Sequence, residues 1–443
     1  MHGTRLVQRA MPSMARSAQI TAVKGFRDVL PDESARWQVL EAAALDIFSR
    51  YAFGEIRLPI AERTELFARS IGEATDIVEK EMYTFVDRGD TSLTLRPEAT
   101  AGVVRAAIEH GLVAPDRELR IFYRGPMFRR ERPQKGRFRQ FYQIGAEVLG
   151  REDPVVDAEI LGLLRDLLAR VEVRDAVFEV SSLGDETCRP GYRQRLRDFA
   201  TSRRAHLCDN CQRRLERNPL RLLDCKEHAC RSAMAGAPLM IDSLCGPCAE
   251  HFAAVRRLLD AANVPVTLNP RIVRGLDYYC RTAFEIVAAG LGSQNAIGGG
   301  GRYDGLVASL GGPAIGGVGF AIGVERLAMV ASALTVDTPA RPIVVAPLGA
   351  DAWAVGFSVA TALRQAGRRV ELVAGRPSLR SALRHADRIG AQQILMIGPE
   401  ELSAGRGSIR DLERRVDRPL SVDLETAGER LLAQVDGRAE AIA

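Results

Sequence analysis

Between Asp32 and Tyr51 the apolar residues Trp37, Leu40, Ala44 and Ile47 return at helical spacing behind Pro31 and Asp32, so the pattern predicts a long amphipathic helix. It leads through Gly54 into residues 55–59, which read as a strand that Pro59 ends, because a residue without an N–H is tolerated only at an edge or a terminus. Segments of strand length then recur at 83–86, 92–95, 120–128, 139–148, 176–181, 279–287 and 318–322. Short turns between several of them predict a largely antiparallel sheet with helices covering one side. Residues 188–260 break this rhythm. They are rich in Arg and Cys and poor in β-branched residues, and read as a small, mainly helical insertion. Beyond Pro339 and Pro342 the pattern alternates: strand 343–347, helix 351–366, strand 369–373, helix 378–389, strand 393–397. Such alternation predicts a separate α/β domain. The expected layout is a disordered tail over 1–20, an α+β body over 21–340 containing the insertion, and an α/β domain over 341–443.

Composition changes this picture little. The 443 residues are 46% hydrophobic and 26% charged, the balance of an ordinary globular protein, and no run approaches the roughly 18 apolar residues that a membrane span needs. A net charge of +5 is mild at this length, so any nucleic-acid surface must be a local patch. The first residues carry Arg5, Arg9 and Arg16 but lack the continuous apolar stretch of a secretory signal. A tail, or a start codon placed too early given Met11 and Met14, is the expectation. The compartment is then the reducing cytoplasm, where cysteines bind metal or remain thiols.

Candidate chemistry concentrates first in residues 124–143. A strand, a turn bearing Arg129, Arg130, Arg132, Lys135, Arg137 and Arg139, and a returning strand with Phe141 put cations and aromatics on one hairpin. That combination suits a polyphosphate attached to a flat base, and a solvated hairpin tip is the alternative. The order Phe128-Arg129-Arg130-Glu131, followed by Gly136, Arg137 and Phe141, resembles motif 2 of the class II aminoacyl-tRNA synthetases. The Arg132-Pro-Gln-Lys-Gly-Arg137 loop is similar to the form found in histidyl-tRNA synthetases. Further segments fit in the family's order. Residues 55–59 with the preceding helix resemble motif 1, and Gly317 to Leu327, with Arg326, resembles motif 3. Arg274-Gly-Leu-Asp-Tyr278-Tyr279 and Gly298-Gly-Gly-Gly-Arg302-Tyr303-Asp304 resemble the two histidyl signatures. Taken alone, Gly298 to Gly301 could equally be a tight turn or a ligand cradle.

This resemblance implies a class II fold with a C-terminal anticodon-binding domain. It also implies ATP-dependent activation of L-histidine to histidyl-adenylate and transfer to the 3′ end of tRNA(His). Carried over position by position, it implies Arg129 at the α-phosphate, Arg137 and Arg326 at the γ-phosphate, Phe141 stacked on adenine and Glu131 at its amino group. Arg274 would be a second catalytic arginine at the α-phosphate. Glu98, Thr100 and Gln143 would bind the α-amino end of histidine, and Glu147 and Tyr279, within a pocket that includes Tyr278 and Tyr303, would take the imidazole. ATP, Mg²⁺ and a two-fold homodimer built on motif 1 are further implications. A non-charging regulatory paralogue that senses histidine is the main alternative. Such paralogues lack the anticodon domain and tend to lose the catalytic arginine.

The last candidate comes from the residues themselves. Cys208-Asp-Asn-Cys211, then Cys225 and Cys230, then Cys245-Gly-Pro-Cys248 have the look of structural zinc knuckles, with any four of the six as ligands and free thiols as the alternative. Cys188 and Cys280 read as small buried side chains.

Overall fold

A computed structural model describes residues 20–72, 75, 77–292, 295–336, 340–375, 377–421, 431–432 and 434–436. The expectations for residues 1–19, Met11 and Met14 included, and for Pro339 lie outside the described residues. The chain divides into two compact units, 1–336 and 337–443.

The first unit is built on an eight-stranded sheet. In spatial order its strands are Gly54–Glu55, Leu119–Phe128, Gln140–Leu149, Gly317–Gly323, Ala296–Arg302, Cys280–Val287, Val177–Ser182 and Val266–Leu268. The six central strands pair antiparallel, as the pattern predicted. Both edge pairs are parallel. At one edge the physical reason is plain: a parallel neighbour needs a long crossover, and the helical insertion between Ser182 and Val266 supplies it.

Helices Pro31–Arg50, Pro154–Arg170 and Gly246–Ala261 cover one face. Trp37, Leu40, Phe48, Leu164, Leu167 and Leu259 pack there against Ile144, Ala146, Val148, Phe284, Ile286, Val318, Phe320 and Ile322 of the sheet. Successive strand residues point to opposite faces. Burying Ile144, Ala146 and Val148 under the helices therefore turns Gln143, Gly145 and Glu147 to the other side. A three-stranded sheet, Ala61–Arg63, Ser92–Leu95 and Tyr83–Val86, and the helix Thr100–Glu109 complete the unit.

Two expectations change. The strand anticipated at 55–59 shrinks to Gly54–Glu55. Ile56 still donates to Phe122 O at 2.9 Å, but the carbonyls of Leu58 and Pro59 are taken by the Arg96 guanidinium, so the chain leaves the ladder. The glycine run is not the tight turn that was one of its two readings. It is the strand Ala296–Arg302 in the middle of the sheet.

In the second unit the strands order as Val370–Leu372, Ile343–Pro347, Gln393–Ile397, Arg406–Asp411 and Val416–Ser421, the first three parallel and the rest antiparallel. Val345, Leu395 and Ile397 pack with Val359 and Leu363 of helix Trp353–Gln365, while Val344, Ala346 and Ile394 pack with Ala382 and Ala386 of helix Leu379–Arg388. With both faces covered, the inner strands read as continuous apolar runs.

Candidate active site

The other face of the large sheet, covered in part by helix Thr100–Glu109, holds most of the polar groups that the sequence singled out. Glu147 stands on the strand Gln140–Leu149 directly opposite Gly319 and is 1% exposed. A Cβ on Gly319 would fall 1.6 Å from Glu147 Oε2, so glycine there is what makes room for the carboxyl group. Glu147 accepts from Thr100 Oγ1 at 2.7 Å and from the Tyr303 hydroxyl at 2.5 Å. Burial, reinforced by the nearby Glu98 and opposed by these hydrogen bonds, pushes its pKa up to about 8. Glu98 is also buried and raised by burial, and it accepts the N–H groups of Thr100 and Ala101 at 2.6 and 3.0 Å, at the start of helix Thr100–Glu109. Two buried carboxyls within one small pocket are costly unless a ligand brings charge or hydrogen bonds to them.

Three tyrosines form the wall. The ring centroids of Tyr278 and Tyr279 lie 4.7 Å apart, and those of Tyr278 and Tyr303 lie 5.7 Å apart. Gln143 Oε1 and the Tyr278 hydroxyl are buried without a partner in hydrogen-bonding geometry among the described residues. Buried polar atoms are rarely left so, which marks this wall as waiting for a polar ligand.

The cationic groups lie next to this pocket. A cleft of about 200 Å³ is lined by Arg129, Glu131, Arg137, Phe141, Gln143, Arg274 and Arg326, and it shares Arg129, Glu131, Arg137 and Glu285 with a neighbouring cleft of about 660 Å³. Arg129 donates to Pro97 O at 2.8 Å, and its guanidinium lies 5.3 Å from the Phe141 ring centroid. Arg137 pairs with Glu131 at 3.0 Å. Arg326 is 8% exposed and donates to Ala296 O at 2.6 Å; burial and the neighbouring Arg137 hold its pKa below the usual arginine value. Like charges held together in a part-buried cleft favour an anion between them. Arg274 pairs with Glu285 at 3.0 Å, and its guanidinium lies 5.1 Å from the Tyr279 ring centroid. Gly299 forms the floor beneath it, where a Cβ would come within 2.7 Å of Arg274.

Among the supporting groups, Arg302 and Asp304 were legible only as part of the glycine-rich signature, and Asp157 and His251 were not singled out. Arg302 is fully buried and donates to Asp157 at 3.1 Å, to Asp304 at 2.9 Å and to Arg151 O at 2.8 Å, while His251 Nε2 lies 3.3 Å from Asp157. This network fixes the backbone that presents Tyr303. An aspartate inside the apolar helix Pro154–Arg170 was the available clue to it.

Of the six candidate cysteines four come together, while Cys188 and Cys280, expected to be buried, are only partly so. Cys208, Cys211, Cys225 and Cys230 converge, but Cys245 and Cys248 do not join them; they meet Cys188 and Asp185 instead. The two Cys-x-x-Cys pairs therefore belong to different clusters, and Cys188 is a member of one rather than a lone filler. In sequence the two pairs are separated by helix His228–Ala233, which brings Cys230 to the first cluster, and by the turn Met240–Ser243.

Comparison with known proteins agrees with this geometry. The family described as histidyl-tRNA synthetase matches residues 25–327, and an anticodon-binding domain matches residues 342–434. The histidine–tRNA ligase of Trichlorobacter lovleyi is 50% identical over 408 residues, 92% of this chain and 97% of that protein. The apo histidyl-tRNA synthetase of S. aureus superposes with a TM-score of 0.75 at 31% identity, covering 95% of this chain and all of that one. A Bacillus halodurans protein named as an ATP phosphoribosyltransferase regulatory subunit/histidyl-tRNA synthetase, with a TM-score of 0.62 at 18% identity over 87% of this chain and 100% of that one, shares the fold.

Proposed function

The chain belongs to the histidyl-tRNA synthetase family, a class II ligase that activates histidine with ATP and charges tRNA with it, and we propose that the polar face of the large sheet carries the activation step. The observation that bears most weight is the juxtaposition of a buried carboxyl, Glu147, in a tyrosine-walled pocket with a cleft of arginines. Histidine needs the first, because its two ring nitrogens ask for directional partners; a triphosphate needs the second.

In this reading the histidine carboxylate attacks the α-phosphorus, an O–P bond forms, and the bond to pyrophosphate breaks. The nucleophile is already ionised at neutral pH, so no general base is required. Arg129 and Arg274 stabilise the charge that accumulates on the α-phosphoryl oxygens, work that pre-placed cations do without reorganisation. Arg137 and Arg326 hold the γ-phosphate, Phe141 stacks on adenine and Glu131 accepts from its amino group. Glu98, Thr100 and Gln143 receive the α-ammonium. Glu147 and Tyr279 hold the imidazole, with Tyr303 orienting Glu147 through the 2.5 Å hydrogen bond and Tyr278 closing the pocket. Such a site rejects apolar amino acids of similar size, since its buried polar groups would be left unpaired.

ATP and Mg²⁺ are general requirements of the family. Of the carboxylates lining this cleft, Glu131 and Glu285 are each paired with an arginine and Glu325 accepts the Tyr142 N–H, which fits a cation carried in on the phosphates better than one held in a protein cage. The cysteines of the insertion suit structural zinc. We assign the catalytic body to residues 21–340 with its insertion at 188–260, and the anticodon-binding domain to 341–443. We further assign a two-fold homodimer with residues 55–59 at its interface, supported by the short edge strand Gly54–Glu55 and the half-exposed Ile60 beside them. No helix among the described residues is long and apolar enough to cross a membrane, and we assign the enzyme to the cytoplasm.

Exchange of labelled pyrophosphate into ATP with each of the twenty amino acids tests the reading. Exchange with histidine alone is expected. Folded protein that binds histidine without exchange would move the chain to the regulatory alternative.

A further inference from the structure

Every cysteine of the chain except Cys280 falls into one of two groups, and both groups lie in or at the root of the insertion. In the first, the sulfurs of Cys208, Cys211, Cys225 and Cys230 all lie within 4.8 Å of one another; in the second the same holds for the sulfurs of Cys188, Cys245 and Cys248 and a carboxylate oxygen of Asp185. Ligands at about 2.3 Å from a tetrahedral zinc ion stand about 3.8 Å apart, whereas a disulfide brings two sulfurs to about 2.05 Å and leaves the others unpaired. None of these cysteines is disulfide-bonded.

We propose that the insertion carries two tetrahedral zinc sites: a four-thiolate site of Cys208, Cys211, Cys225 and Cys230 that staples the insertion internally, and an Asp185–Cys188–Cys245–Cys248 site that clasps its neck. This deepens the zinc reading above.

Both sites are built on helix starts. Cys208 caps helix Asp209–Arg217, with Cys211 in its first turn, and Cys245 and Cys248 stand in the same way at the start of Gly246–Ala261. The free N–H groups and the positive end of the dipole at a helix start stabilise negative sulfur. The Cys208 N–H points at Cys230 Sγ at 3.0 Å, and the Asp185 N–H points at Cys188 Sγ at 3.3 Å. Cysteines that serve as apolar filler need neither convergence nor an aspartate among them. Gly184 adds an independent sign. It has φ +63°, and a Cβ on it would meet both the Met240 methyl and Cys188 Sγ, the latter at 2.5 Å, so glycine here leaves room for that sulfur and for the Met240 side chain.

The two sites divide the work by position. Cys211, Cys225 and Cys230 are buried with Leu215, Leu222 and Met234 in the insertion's own small core, which alone offers little apolar area. The second site joins the chain's entry into the insertion to the start of helix Gly246–Ala261, which packs on the large sheet. Its entry side is tied to the histidine pocket: Leu183 N–H donates to Arg281 O at 2.7 Å, and Arg281 N–H donates to Gly184 O at 2.8 Å, two residues beyond Tyr279. A metal at Asp185 therefore anchors the segment that presents Tyr279 to the exit helix Gly246–Ala261.

The test is the metal content of the full chain, purified without chelators after growth with zinc, by plasma mass spectrometry. Two zinc ions per chain are expected in the wild type, one in the Asp185→Ala/Cys188→Ser variant and one in Cys225→Ser. Because either variant could fail to fold, the wild-type protein is also exchanged with cobalt(II), whose thiolate charge-transfer band should saturate at two equivalents per chain. No tightly held metal, with all cysteines titrating as free thiols after denaturation, overturns both sites. A single cobalt at saturation, or a single zinc kept by the neck variant and lost by Cys225→Ser, overturns the neck site. Metal content is read apart from histidine-dependent exchange, so loss of this proposal leaves the activation chemistry untouched, and the reverse holds too.

Discussion

The two faces of the large sheet share strands and differ in everything else. On the helix side Ile144, Val148, Phe284 and Phe320 are buried at 2% exposure or less in an apolar layer. One residue along the same strands stand Gln143, Glu147, Glu285 and Gly319, which line or floor the proposed site. A period of two lets one backbone hold a rigid core and a charged floor back to back, and a register slip of one residue would exchange them. The lesson is that stability and chemistry are separable here by substitution: neighbouring residues in sequence should fail in different ways.

The largest effect expected is on the helix side. Phe284→Ala removes a fully buried ring and should cost about 3–5 kcal/mol of stability in the first unit, read from urea unfolding, while histidine-dependent exchange per folded molecule stays near wild type. Loss of exchange without loss of stability would erase the distinction between the faces. Gly319→Ala tests the other side. Its Cβ would sit 1.6 Å from Glu147 Oε2, so the carboxyl must move, at a cost of about 1–3 kcal/mol. The KM for histidine should rise by about tenfold or more, with that for ATP little changed; an equal rise in both would place the damage elsewhere.

Taken per pH unit, the smallest effect is in pH dependence. Glu147, raised from 4.5 to about 8 by burial, keeps a proton in the folded state that the unfolded chain releases near its ordinary value. The folded state binds more protons throughout that window, so stability falls as pH rises from about 4.5 to about 8, by at most about 1.4 kcal/mol per unit. Unfolding of Glu147→Gln across the same range should lack this slope. An unchanged slope would mean that Glu147 is ionised in the free protein.

What the sequence disclosed follows the same geometry. The Arg129–Phe141 hairpin was legible because residues adjacent in sequence are adjacent in space across one turn. The six central strands and the alternating second unit were legible from their periodicity. Gly298 to Gly301 were not, because a run without side chains has no period; their place becomes evident only when Gly319 and Glu147 are seen across the neighbouring strands. The strand Val266–Leu268 is short, and its pairing depends on the crossover that precedes it. Asp185 carried no signal and Cys188 read as filler, since their partners Cys245 and Cys248 lie far along the chain. Residues 55–59 misled for a local reason: Arg96, remote in sequence, takes the carbonyls that a strand would have used.

The central claim is that the glycine-floored face activates histidine, and Arg274 sits on that floor against Gly299. Pyrophosphate exchange at saturating histidine and ATP should fall by about 10²–10³ in Arg274→Ala, the usual loss when one pre-placed charge-stabilising group is removed, with the unfolding midpoint of the first unit unchanged. Exchange at the wild-type rate in a folded Arg274→Ala enzyme would contradict the account.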